Sequence, residues 1–153
     1  MAKILALDPS GTSLTGYFYF ENWTNWEVGS IEGKNYLQQA KNIENLLKNK
    51  EVDILVWETS YWWKTNKAQK DLQELVYLNG VLGYLSDKYS CQIQTIINHT
   101  VKEVENKKTI AGLKKNDNHY EFKERRINQH ETDAIIIFWI YWVRMLKREW
   151  PFA

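Results

Sequence analysis

Ile4-Leu5-Ala6-Leu7-Asp8-Pro9-Ser10-Gly11, with Thr15-Gly16 and the apolar run Tyr17 to Phe20 close behind, is the stretch on which the reading of the fold turns. Lys3 to Leu7 has the length and apolarity of a buried strand. Pro9-Ser10-Gly11 supplies turn chemistry before a second strand at Thr15 to Phe20. Asp8 therefore stands at the tip of a first strand, just before a hairpin, a place that folding alone explains poorly. Two further acids have similar positions. Glu58 ends Asp53-Ile54-Leu55-Val56-Trp57, and Asp133 stands beside the run Ala134 to Val143. Three acids on the shoulders of buried elements point to a carboxylate cluster for a divalent metal.

Outward from this stretch, a third strand is expected at about Trp26 to Ile31, after turn residues Glu21-Asn22 and Thr24-Asn25. Lys34 to Lys48 places Leu37, Ala40, Ile43 and Leu47 at helical spacing. Ile54 to Trp57 reads as a strand buried on both faces. Thr59 to Asn66 is a polar, aromatic loop, and Lys67 to Tyr89 a long helix. Gln92 to Ile97 is a fifth strand. Thr100 to Asn106 reads as a short helix with Thr100 as N-cap and Glu103 as its capping-box partner. Lys107 to Arg126 is polar with little periodicity. Asn128, with Glu131 three residues on, caps a last helix running to about Arg148, where Arg144, Lys147 and Arg148 suit its C-terminal dipole and Pro151 stops it. This order predicts one α/β domain over residues 1–153, a five-stranded mixed sheet flanked by helices.

Hydrophobic residues at 44% and charged residues at 25% are ordinary for a globular chain of 153 residues. Eight Trp and nine Tyr are not ordinary. Most are assigned to packing and some to surface stacking platforms. A net charge of +1 gives little general attraction for nucleic acid, so local charge matters more. Lys64, Lys67 and Lys70 have no acid between them, and Lys102 to Arg126 holds eight Lys/Arg against five Asp/Glu. Cys91 is the only cysteine, which excludes a disulfide framework and a cysteine zinc site. The run from Ile4 is cut at Asp8, so no secretory h-region is expected. Ala134 to Val143 is shorter than the roughly 20 residues of a membrane helix. The expectation is a soluble, intracellular protein with no membrane partner.

Asp8 and Glu58 can approach the same ions if the first and fourth strands are neighbours, since both end their strands. His130 and Asp133 are three apart and share one side of a helix, whereas Glu131 points about 100° away and is assigned to the cap. Each residue also has a plainer reading. Asp8 could form the turn with Pro9, Glu58 could be a strand-end surface acid, Asp133 could favour the helix N-terminus, and His130 could be an exposed first-turn residue. Singly the plainer readings hold; the combination favours a metal site.

Ile4-Leu5-Ala6-Leu7-Asp8-Pro9-Ser10-Gly11 with Thr15-Gly16-Tyr17 resembles the first motif of the RuvC-type Holliday-junction resolvases. Ile54 to Glu58 looks like their second acidic strand, His130-Glu131-Thr132-Asp133-Ala134 is similar to their closing motif, and Lys107-Lys108-Thr109-Ile110-Ala111-Gly112 is similar to a basic segment between. The resemblance implies a ribonuclease H-like fold. It implies two Mg²⁺ ions per active site, with Mn²⁺ able to substitute, and hydrolysis of phosphodiester bonds in Holliday junctions, extending to forks and flaps. It implies a homodimer in the cytoplasm of a bacterial or phage-infected cell. Asp8, Glu58, His130 and Asp133 fall on its metal positions. Lys107 falls on a catalytic basic position, and Trp62, Trp63 and Lys64 fall where a ring stacks on unpaired bases. Lys67, Lys70, Lys108, Lys114 and Lys115 extend the expected DNA contacts. The chain departs from the pattern by one extra residue between Asp8 and Thr15-Gly16 and by lower basicity, which widens the expected substrate to branched DNA in general.

Three rivals are distinguishable. An actin-like phosphotransferase, suggested by Asp8-Pro9-Ser10-Gly11-Thr12-Ser13, would bind ATP and needs two core domains. A metal-independent branched-DNA binding module would not need Asp8, Glu58 or Asp133. A general ribonuclease H-type enzyme would cut an RNA–DNA hybrid.

Overall fold

A computed structural model of the chain describes residues 1–59 and 69–153, with the side chains of Gln69 and Lys70 outside the description. Five strands form one sheet in the order β3-β2-β1-β4-β5: β1 (Ile4–Asp8), β2 (Leu14–Asn22), β3 (Asn25–Glu32), β4 (Ile54–Thr59) and β5 (Gln92–Ile97). The first three are antiparallel, while β4 runs parallel to both β1 and β5. The expected mixed sheet is therefore present, and β1 and β4 are neighbours.

Alternation along the strands sorts the core into two layers. Leu5, Leu7, Tyr17, Tyr19, Leu55 and Trp57 face α1 (Tyr36–Asn49) and α2 (Gln69–Lys88). Ile4, Ala6, Phe18, Phe20 and Val56 face the opposite way, against α3 (Asn98–Lys107) and α4 (Gln129–Trp139). Asp8 and Glu58 have the parity of this second set, so both belong to the α4 face.

Several boundaries differ from the sequence reading. Helix α3 starts at Asn98, with Ile97 at the cap position and no side-chain cap bond, so Thr100 lies inside the helix. The strand before it already aims the backbone into the helix, which leaves no break for Thr100 to cap. The last helix is α-helical only to Trp139. It continues as a π-helical segment, Ile140–Met145, closed by Leu146 N–H donating to the Tyr141 carbonyl 2.9 Å away. Arg144 lies in this wider segment, and Lys147 turns out of it with a φ of 57°. Lys147 and Arg148 therefore lie beyond the helix they were expected to cap. The widened turn carries Trp142 against Phe20 and Phe138, within an aromatic cluster that includes Trp26, Phe122, Trp150 and Phe152.

The stretch from Lys107 to Arg126 contains a second, three-stranded antiparallel sheet: β6 (Leu113–Asn116), β7 (His119–Phe122) and β8 (Arg125–Ile127). Leu113, Tyr120, Phe122 and Ile127 pin it to the α4-side core. Among the described residues no helix is long and apolar enough to cross a membrane.

Candidate active site

The turn after Asp8 is held from within β2. The buried Thr15 hydroxyl oxygen accepts from the Ser10 N–H at 3.0 Å. Next to it, Gly16 is the cross-strand partner of Asp8. A Cβ on Gly16 would collide with the His130 carbonyl and lie 2.7 Å from the Glu131 nitrogen. Only a residue without a side chain lets the first turn of α4 rest on the sheet here. Thr15-Gly16 is thus two devices, one fixing the turn and one admitting the helix.

That helix starts where the sequence reading put it. Asn128 Oδ1 accepts from the Glu131 N–H at 2.8 Å, and Glu131 Oε1 accepts from the Asn128 N–H at 2.9 Å, a complete capping box. Glu131 is occupied by the cap. His130 is turned toward the sheet, its Nδ1 3.0 Å from Asp8 Oδ2. Asp8 itself is only 13% exposed.

Glu58 accepts from Asn98 Nδ2 at the start of α3. Asp133, one helical turn beyond Gln129, accepts from Gln129 Nε2 at 2.8 Å, and the same amide faces Glu105 Oε1 at 3.5 Å. Burial, followed by the charges of Asp8, Glu105 and Glu58, pushes the Asp133 carboxyl up to about 8, against the lowering effect of the Gln129 bond. These couplings place Asp8, Glu58 and Asp133 in one electrostatic neighbourhood, with Glu105 added from α3.

Asn98, Glu105 and Gln129 were absent from the sequence reading. Gln129 had a readable signal, since it lies four residues before Asp133 on one helix. Asn98 and Glu105 arrive only because α3 packs beside α4. Lys107 is the exposed last residue of α3, two residues past Glu105, and Lys108 follows it. Lys114 and Lys115 are exposed on β6. Trp62, Trp63, Lys64, Lys67 and the Lys70 side chain lie outside the described residues.

Among the described residues, no three His, Cys, Asp or Glu side chains converge as a ready cage for one metal ion. Asp8, Glu58 and Asp133 each contact a protein donor or imidazole instead. The donor set still suits a hard divalent cation, because it is rich in carboxylate oxygens and gathers acids that repel one another. Burial first, and then the neighbouring acids Asp8, Glu105 and Glu58, raise the Asp133 carboxyl.

The sheet order and its helices define an α/β protein of the ribonuclease H-like class. Within that class the chain has the fold of RuvC. A Thermus thermophilus RuvC in complex with a Holliday junction substrate superposes with a TM-score of 0.64 at 12% identity, over 95% of this chain and 96% of that one. A second Thermus thermophilus RuvC structure gives a TM-score of 0.64 at 12% identity, over 94% and 96%. No protein-family model matches the sequence, and no curated protein matches it.

Proposed function

We propose that the chain is a divalent-metal-dependent, structure-specific endonuclease that hydrolyses phosphodiester bonds in branched DNA, four-way junctions among them. The observation that carries this reading is the placement of Asp8 and Glu58 at the C-terminal ends of adjacent parallel strands, on the sheet face where α4 lays His130 and Asp133. Three acids and a histidine from three elements are hard to explain by stability, since the acids, brought together, oppose folding.

Asp8, Glu58, Asp133 and His130 are the residues that would hold Mg²⁺, or Mn²⁺ in its place. Bound there, the ions supply positive charge to the phosphate and a more acidic water. The protein does the positioning. The β1–β2 turn and Thr15 hold Asp8, His130 orients its carboxylate, Asn98 orients Glu58, and Gln129 orients Asp133. Lys107 and Lys108 supply charge for the DNA backbone near α3. Trp62 and Trp63 are proposed to stack on unpaired bases, with Lys64 on a phosphate. Changing both Trp to Ala is expected to weaken junction binding by more than it weakens binding of single-stranded DNA.

A homodimer is also proposed, through the outer side of α2. Leu75, Leu78, Leu82 and Leu85 are all buried in the chain's own core. What α2 leaves outside is Val76, Tyr77 and Tyr84, and the same side of the sheet leaves Ile93 and Ile97 of β5 exposed. Tyr77, whose ring packs on Tyr36 of α1, and Tyr84, seven residues on and on the same flank of α2, are proposed to meet a second copy.

The test is Asp8→Asn. The neutral amide is expected to abolish cleavage of a four-way junction while leaving junction binding in EDTA intact. Cleavage at the wild-type rate would remove Asp8 from the site.

A further inference from the structure

Glu105 stands where its own helix does not favour it. It lies in the last turn of α3, where the helix dipole opposes a carboxylate. Val101 and Val104 bury α3 in the core that α4 shares, which carries Glu105 to the edge of the acidic site. Two neutral donors from other elements reach one of its oxygens. The Tyr120 hydroxyl of β7 and the Gln129 amide nitrogen of α4 each lie 3.5 Å from Glu105 Oε1. The same Gln129 nitrogen lies 2.8 Å from Asp133 Oδ1. A primary amide nitrogen carries two hydrogens, so one can serve each carboxylate. Turned end for end, the amide would set its own oxygen against both acids. At 3.5 Å the contact to Glu105 is a weak bond. Its effect is on the orientation of the amide rather than on stability.

We propose that Glu105 is a positioning residue: acting through the Gln129 amide, it holds the Asp133 carboxylate in place for a divalent cation. Gln129 is exposed and is the first residue of α4, so its long side chain needs a second anchor to stay on Asp133. Glu105 supplies that anchor from a different helix. The inference rests on the nuclease reading, and it adds to it a residue of α3 outside the four cation-binding side chains.

The experiment uses the full chain without DNA and has two readouts. In EDTA, the side-chain amide of Gln129 is followed by nitrogen–proton nuclear magnetic resonance and identified by its loss in Gln129→Ala. Glu105→Ala is expected to shift its protons, and Glu105→Gln, which keeps an acceptor in the same place, to shift them less. Mn²⁺ affinity is then measured by calorimetry. Gln129→Ala and Glu105→Ala should each weaken it by about tenfold, the lower end of the effect of groups that orient a metal ligand. The double variant should bind no more weakly than Gln129→Ala alone, because two residues acting as one unit are not additive. Glu105→Gln should stay close to the wild-type affinity. An unmoved amide, additive losses, or Glu105→Gln binding as weakly as Glu105→Ala would overturn the proposal, the last two by showing that Glu105 acts through its own charge. Urea melts establish that each variant is folded, and Glu105→Ser replaces Glu105→Ala if that variant is not. A chain whose amide responds to Glu105→Ala but which binds no Mn²⁺ fails only the nuclease reading. One that binds Mn²⁺ equally well with and without Glu105 fails only this one.

Discussion

Asp8 is fixed from three directions: by β1, which carries it, by the turn that Thr15 ties down, and by His130 from α4. Glu58 has a comparable support in Asn98, which leads to a prediction. Asn98→Ala should reduce junction cleavage by about 10–100-fold, the usual effect of removing a group that orients a ligand, with binding in EDTA unchanged. Equal loss of binding and cleavage would make Asn98 a structural residue. Asp133 gives a second. Its ordinary value is 3.8 and its folded value about 8. Between these values the folded chain keeps a proton that the unfolded chain has lost, so this group's contribution to stability falls as pH rises from about 4 to about 8. Urea denaturation in EDTA at pH 5 and pH 8 should show that fall, and Asp133→Asn should flatten it. An identical slope in the variant would contradict a carboxyl raised by burial and by the neighbouring acids. Asp8, Glu58 and Asp133 were legible because each borders an apolar run, and His130 because it lies three residues before Asp133 on one helix. Asn98 and Glu105 were not, because they reach the acids only through the packing of α3.

At the scale of elements, the contact between α4 and β2 depends on one missing side chain. Gly16→Ala would drive a methyl group into the His130 carbonyl. Expected is a loss of about 1–3 kcal/mol, the usual cost of overpacking, together with a fall in cleavage as His130 is pushed off Asp8. Gly80→Ala is the matched control. A Cβ there meets nothing within 4 Å, and the substitution should stabilise α2 by about 0.5–1 kcal/mol. Equal effects in urea melts would contradict the close approach at Gly16. The long elements were legible from their periodicity, including the capping box of α4. Strands β6 to β8 were hidden because they are three or four residues long and rich in Lys, Asn and Arg. Their apolar residues, Leu113, Tyr120, Phe122 and Ile127, show an alternation only once the hairpins pair them. The π-helical segment was equally hidden, since the aromatic cluster it packs into is assembled only in the fold.

For the whole molecule, the sheet separates two tasks. One face and its C-terminal strand ends carry the acids, and the other carries α1 and α2. The abundant tryptophans mostly follow the plain reading. Trp26, Trp57, Trp139, Trp142 and Trp150 all belong to packing clusters. Trp23 is 68% exposed, yet it sits on the β2–β3 turn, at the end of the sheet away from Asp8. If the outer side of α2 forms the dimer contact, Tyr77→Lys with Tyr84→Lys should convert a dimer to a monomer in light scattering at micromolar concentration. A wild-type monomer with and without DNA would contradict the dimer. The central claim is that the acids make a cation-dependent site for cutting branched DNA. Its most direct test is a cleavage assay on a fixed four-way junction, a Y-fork and a linear duplex of the same sequence, each in Mg²⁺ and in EDTA. The account predicts that the branched substrates are cut in Mg²⁺ and not in EDTA, with the linear duplex spared. Equal cutting of the linear duplex, cutting in EDTA, or binding with no cleavage in either condition would contradict it.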